Sequence, residues 1–329
     1  VQISSLIDII DGRLLNHPSI SFIYSFKTDP SKVKEGDLFI AKNLDDIETA
    51  VKNGAFAIII ENFYPIIDKE IAWIKVDSIN KCFINLIRFK LAHFELEAFY
   101  CDKVSYDMMN IFASSTSKDI KFITDDLEDF IKELEDIKND DILISNDPKL
   151  LDKIYPNNKD FNNKTFKIDN LTEHSLFEVS FTYNDIYFPK LKLASIYIPQ
   201  FINIYSFLEG KFDISKLKSF NNLKPLFLDK NLEITDFGRS DRFIISQNDE
   251  NLIKEEIEYL NSKYKYAKTI FITSYYNTSL SDNQIIIKDI RELKETLKNN
   301  SFNAAYLIGF DFNDINTNLI KLEKQNSLF

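Results

Sequence analysis

The residues with chemical potential are few and scattered. Ala113-Ser114-Ser115-Thr116-Ser117-Lys118-Asp119 puts a run of hydroxyls beside a lysine, types that could meet an anion. By itself a serine-rich turn with one lysine reads equally as a solvated loop after a strand, here expected at Met109–Ala113. A backbone phosphate cradle needs glycine for positive φ and close approach. The chain has only 6 glycines, and none falls in this turn. His17, His93 and His174 stand without a paired base or metal partner. Each reads as a surface or packing residue, and no catalytic residue is assigned. Cys82 and Cys101 form neither a zinc motif nor a disulfide framework, which suits a reducing compartment. The acidic pairs Asp125-Asp126 and Asp140-Asp141 could suggest Mg²⁺ ligands, but such pairs more often cap helices or line solvated faces, and no metal site is assigned. Tyr275-Tyr276 lies in a loop after a C-terminal strand, where doubly wound sheets hold ligands, and reads either as an interaction site or as an exposed aromatic loop. No nucleophile elbow, dinucleotide-binding glycine fingerprint or zinc spacing occurs.

These residues must be positioned by elements that the apolar pattern predicts. At 329 residues the chain is long enough for two or three domains, and 44% apolar with 28% charged residues is the balance of a soluble globular protein. A net charge of −11 without a basic cluster argues against a phosphate-tracking nucleic-acid binder. No apolar run is long enough to span a membrane, and VQISSLIDII lacks a basic-then-apolar leader pattern, so the cytoplasm is the expected location. Gly36-Asp37 predicts a turn before a strand at 38–41. Asp45 or Asp46 is expected to cap a helix carrying Ile47, Ala50 and Val51, closed by Gly54. Ala55–Ile60 then reads as a strand buried on both faces. Further on, the pattern predicts a strand at 72–76, a helix near 80–93, a helix at 125–137 and a strand at 141–145. Asn146-Asp147-Pro148 reads as a helix start, 159–164 as a loop, 177–182 with 185–193 as a hairpin, and Pro199 as the opening of a helix ending at Gly210. From residue 242 strands and helices alternate, which predicts a mostly parallel, doubly wound sheet.

Residues 27–61 carry a more specific signal. Thr28, Asp29, Val33, Gly36, Asp37, Leu38, Phe39, Ala41, Gly54, Ala55 and Glu61 match in type and order the T-D-S-R-x-V-x-x-G-D-L-F, A, G-A and Glu pattern that opens the Mur ligases. The chain resembles that family, closest to its MurF type. The resemblance implies an α/β multidomain fold: a Mur-ligase-like N-terminal domain at 1–100, a shortened central domain derived from the ATPase at 101–235, and a Rossmann-like domain at 236–329. It implies precursor contacts at Thr28 and Asp29, but Pro30 and Ser31 stand where the family has Ser and Arg, which removes a bidentate anion donor. The family's T-G-x-x-G-K-T phosphate loop aligns with 113–119, leaving Ser114, Thr116, Ser117 and Lys118 as a vestigial loop with serines for both glycines and Asp119 for the Mg²⁺-side threonine. The family's long catalytic middle has no counterpart between Lys118 and Ile142. Asn203, with Gln200, is what remains of the family's adenine-side G-x-H-N-x-x-N, and Gly238-Arg239 matches its later G-R.

The resemblance therefore implies a pseudoenzyme without ATP or Mg²⁺, acting by binding near peptidoglycan synthesis or cell-shape proteins. Two alternatives share the same ancestry. One is an active MurF-type ligase using ATP and Mg²⁺ to add a dipeptide to a UDP-muramoyl peptide, and the other is a precursor-binding module without turnover.

Overall fold

The computed structural model describes residues 1–124, 126–161 and 166–319. The chain divides into two compact units, Val1–Tyr106 with Ser117–Asn163, and Asp107–Thr116 with Lys164–Phe329.

The first unit opens with α1 (Ile3–Ile10), β1 (Arg13–Leu14), β2 (Phe26–Lys27), β3 (Leu38–Ile40), α2 (Ile47–Lys52), β4 (Ala57–Ile60), β5 (Ala72–Lys75) and α3 (Ile79–Leu91). The strands form one sheet in the order β1-β5-β4-β3-β2, parallel except for β1. The continuous apolar run becomes β4 at its centre. Ala57 and Ile59 face a core with α1 and α3, while Ile58 and Ile60 face a second core with Ile47, Ala50 and Trp73. Period-two alternation thus feeds two apolar layers. Gly54 follows α2 at φ +95°, and a Cβ there would lie 3.0 Å from the Glu35 Cα. The helix start differs from expectation: a 3₁₀ turn at Leu44–Asp46 leads into α2, and Asp46 makes no side-chain cap.

The unit continues with β6 (Glu97–Tyr100), the first turn of α4 (Lys103–Ala113, which belongs to the second unit from Asp107 onward), β7 (Ile120–Ile123), α5 (Leu127–Glu133), β8 (Ile142–Ser145), α6 (Pro148–Ile154) and β9 (Lys159–Asp160). These strands form an all-parallel sheet, β7-β8-β6-β9. The strand expected at 109–113 is instead the end of α4. Val104, Met108 and Phe112 recur every four residues and all three are buried, the spacing of a helix face. Asp147 caps α6 through the N–H groups of Lys149 and Leu150, with Pro148 in the first turn, as the sequence predicts. Of the acidic pair at 125–126, Asp125 lies outside the described residues, and Asp126 caps α5 by accepting the Glu128 N–H. Asp141 accepts the Lys138 N–H.

The second unit carries β10 (Asp169–Ser175), β11 (Glu178–Tyr183), β12 (Ile186–Leu191), α7 (Ile198–Phe207), β13 (Leu226–Leu228), β14 (Ile234–Thr235), β15 (Phe243–Gln247), α8 (Glu250–Lys263), β16 (Thr269–Thr273), β17 (Ile285–Ile286), α9 (Leu293–Asn299), β18 (Ala304–Ile308) and α10 (Phe312–Leu319). The expected hairpin is β11-β12, joined by β10 in an antiparallel sheet. The C-terminal sheet runs β14-β13-β15-β18-β16-β17, with β15, β18, β16 and β17 mutually parallel, as the alternation of strands and helices predicts. It also takes in β13 and β14, which precede residue 236. Its fully buried strand β18 packs Ala305 and Leu307 against Leu293, Leu297 and Ile315 of α9 and α10.

Candidate functional site

An α/β sheet holds a nucleotide phosphate where a strand's carboxyl end turns into a helix, because unpaired N–H groups and the helix dipole converge there. In the first unit the turn from β6 into α4 has this form, and it is only Cys101 and Asp102. The Cys101 N–H donates to the Ser145 carbonyl at 2.9 Å, which prolongs the β6–β8 ladder. Asp102 then closes the helix. Its Oδ1 accepts the Ser105 N–H at 2.8 Å, its Oδ2 accepts the Ser105 hydroxyl at 3.0 Å, and its carbonyl accepts the Tyr106 N–H at 2.9 Å. A carboxylate in the N-cap satisfies the orphan donors and offsets the partial positive charge of the terminus. An incoming phosphate would meet an anion already in place, and two residues leave no loop to wrap it. Lys103 follows with its ammonium 5.3 Å from the Tyr106 ring centroid. ATP with Mg²⁺ is the cofactor that the active-ligase alternative requires, and the residues at this turn do not fit it.

The segment aligned with the phosphate loop lies elsewhere. Residues 114–119 follow the carboxyl end of α4 and precede β7, the reverse of strand, loop and helix. Ser114 accepts from Lys216 Nζ at 2.6 Å. Ser115 donates to the Phe112 carbonyl at 2.9 Å and accepts the Asp213 N–H at 3.2 Å. Ser117 is exposed, Thr116 and Lys118 have partners of their own, and Asp119 pairs with Lys138 at 2.6 Å.

A second candidate corner in the first unit is formed by the family-like segment with α5. Asp29 accepts the Ser31 N–H at 2.9 Å and the Ser31 hydroxyl at 2.6 Å, so the Ser31 that replaces the family's arginine is tied into a 3₁₀ turn. Thr28 instead hydrogen-bonds the Glu128 carboxylate, which also pairs with Lys42 at 2.6 Å and Lys132 at 3.3 Å. Partial burial pushes the Glu128 carboxyl up, but hydrogen bonds from Lys42 and Thr28 and the Lys42 charge outweigh that and bring it down to about 2. A 380 Å³ cavity opens here, lined by Lys42, Asn80, Phe83, Asp126, Leu127 and Glu128. Its lysine is committed to the chain's own carboxylate.

The remaining candidates are structural in setting. His93 Nδ1 donates to the Phe89 carbonyl at 2.8 Å. His174 Nε2 lies 2.7 Å from the Ser180 hydroxyl, which is buried and also accepts the Lys190 N–H. His17 is exposed. Asn203 sits on α7 in the second unit, and Gln200 Oε1 on the same helix is buried with no hydrogen-bond partner among the described residues. Tyr275 donates to Glu250 Oε1 at 3.1 Å, and Tyr276 is exposed. Among the described residues no three His, Cys, Asp or Glu side chains converge as a metal centre would require, and no helix is long and apolar enough to cross a membrane.

Solved structures share this multidomain α/β architecture. No family model and no curated protein matches the chain by sequence. By structure it is similar to the MurF ligase of Thermotoga maritima in complex with ADP, with a TM-score of 0.55 and 14% identity over 90% of this chain and 97% of that one. It is also similar to the UDP-N-acetylmuramoylalanyl-D-glutamyl-2,6-diaminopimelate–D-alanyl-D-alanyl ligase of Acinetobacter baumannii, at a TM-score of 0.52 and 10% identity over 93% and 94% of the two chains. A further MurF structure from that organism gives 0.51 and 11% over 97% and 88%. The chain has the Mur ligase fold, of the MurF type.

Proposed function

We propose that this is a catalytically inactive Mur-ligase-like protein. It works by binding, as a scaffold or regulator of peptidoglycan synthesis or cell shape in the cytoplasm. On this reading residues 101–235 are the remnant of an ATPase domain between an N-terminal domain at 1–100 and a C-terminal domain at 236–329. The observation that carries the reading is Asp102: the strand-to-helix turn suited to triphosphate is two residues long and filled by the chain's own carboxylate. Glu128 supports it by neutralising Lys42 beside Thr28. The link to the cell wall comes from the fold it shares with MurF ligases.

Thermal unfolding of the purified chain with Mg-ATP and with a UDP-muramoyl peptide tests this. A ligand bound only by the folded state at a hundredfold excess over Kd stabilises it by about 2.7 kcal/mol. The expected outcome is no rise in midpoint with Mg-ATP and no ATP turnover. A rise with Mg-ATP would restore the active-ligase reading. A rise with the precursor alone would make the chain a precursor-binding module.

A further inference from the structure

The second unit holds a 460 Å³ cavity bounded by the β10–β11 turn, the segment leading into β15 and the carboxyl end of α8. Phe177, Phe227, Phe237, Phe243 and Tyr264 line it. The rings brace one another: Phe177 stands edge-on to Phe243 at 5.0 Å, Phe227 edge-on to Phe237 at 5.1 Å, and Phe243 lies 5.8 Å from Tyr264. Such contacts fix the walls before any ligand arrives. The volume is within the range of small-molecule sites.

The charge at the rim is one-sided. Glu173 and Lys263 cancel each other through contacts of 2.9 and 2.6 Å. Asp241 also lines the cavity, is exposed, and forms no ion pair among the described residues. Burial, and then the Asp241 charge, push the Tyr264 hydroxyl up, so this carboxylate lies within electrostatic reach of the aromatic wall. Lys192, which pairs with Glu178 and lies outside this cavity's lining, already holds its Nζ 3.6 Å from the Phe237 centroid, so it shares that ring with the cavity. Aromatic faces present negative potential, and a nearby unpaired carboxylate adds to it.

We infer that this cavity binds a small organic cation, a quaternary or protonated ammonium carried on an apolar group. An anionic ligand would meet Asp241, and a neutral one would gain burial alone. The inference is independent of the nucleotide question, because every residue it uses lies outside the β6–α4 turn.

The test is calorimetric or NMR titration of the full chain with choline, with its neutral carbon isostere 3,3-dimethylbutan-1-ol, and with the anion 3,3-dimethylbutanoate. Choline is expected to bind saturably and roughly tenfold or more tighter than the neutral isostere, with the anion weakest. Asp241→Asn and Phe237→Leu, both at exposed side chains, are each expected to weaken choline about fivefold with the unfolding midpoint retained. Equal binding of choline and its isostere would overturn the inference. So would the absence of saturable choline binding up to roughly 50 mM, or an unchanged affinity in a folded Asp241→Asn variant.

Discussion

The Asp102 carboxylate receives both the backbone N–H and the hydroxyl of Ser105, at 2.8 and 3.0 Å, and so closes the first turn of α4 from within the chain. Removing it exposes donors without replacing the missing loop. Asp102→Ala is expected to destabilise the fold by about 1 kcal/mol, and Asp102→Asn, an equally good cap, by far less. Urea unfolding of the two variants measures this. Neither variant is expected to acquire Mg-ATP affinity, because the turn stays two residues long. ATP binding by Asp102→Ala would mean that the carboxylate alone had closed the site.

Glu128 makes the corner beside Thr28 and Lys42 depend on acid. Its carboxyl is lowered to about 2, so the folded state holds it ionised where the unfolded chain binds a proton. Its stabilisation is present above the unfolded carboxylate range, near 4.3, and is lost as pH falls toward 2. Glu128→Gln is expected to cost about 1 kcal/mol at pH 7, a figure kept low because the corner opens to solvent. The cost should shrink steadily between about pH 4.5 and 2. A difference from the parent that stays constant across that window would show that Lys42 and Thr28 do not hold this charge.

Much of the frame was legible because its signals are local. The 57–60 run lies between two parallel neighbours and is apolar on both faces, so it reads as a buried strand from composition alone. The Asp147-Pro148 helix start states its own cap chemistry. The strand expected at 109–113 is a helix end for a physical reason. Met109–Ala113 is a short apolar run, and such runs do not separate strand from buried helix. Read as a strand, it makes 113–119 look like the turn from a strand, whereas that segment follows a helix. The spacing of Val104, Met108 and Phe112, with Asp102 three residues before Ser105, is the signal that places a capped helix there. β10 left no trace, since its residues are all exposed and it is held by pairing with β11 rather than by an apolar face. Glu128 could not be found from sequence either, because it meets Thr28 and Lys42 only through the tertiary fold.

Gly54 tests whether the family-like segment is kept by backbone geometry. Its φ of +95° lies where side chains are strained, and a Cβ would stand 3.0 Å from Glu35 Cα and 3.2 Å from Glu35 N, main-chain atoms that do not yield. Gly54→Ala is expected to cost about 1–3 kcal/mol in chemical unfolding. A neutral result would mean that the α2–β4 turn relaxes freely and that the glycine match is not a structural requirement.

Glu256 gives the second unit a pH dependence opposite in sign to that of Glu128. The carboxyl is fully buried on α8. It accepts the Tyr197 hydroxyl at 2.5 Å and Gln247 Nε2 at 2.8 Å on Oε1, and the Tyr306 hydroxyl at 2.5 Å on Oε2. Burial raises its pKa, and the donors only partly offset this. The folded state therefore keeps a proton that the unfolded chain releases above about 4.3, and stability falls as pH rises through the interval between the two. Glu256→Gln keeps the shape and a hydrogen-bonding amide but has no proton to lose. In urea unfolding at pH 4.5 and pH 8, the variant should gain on the parent as pH rises. A parent-to-variant difference that does not move with pH would mean that three donors suffice to hold this buried carboxylate ionised.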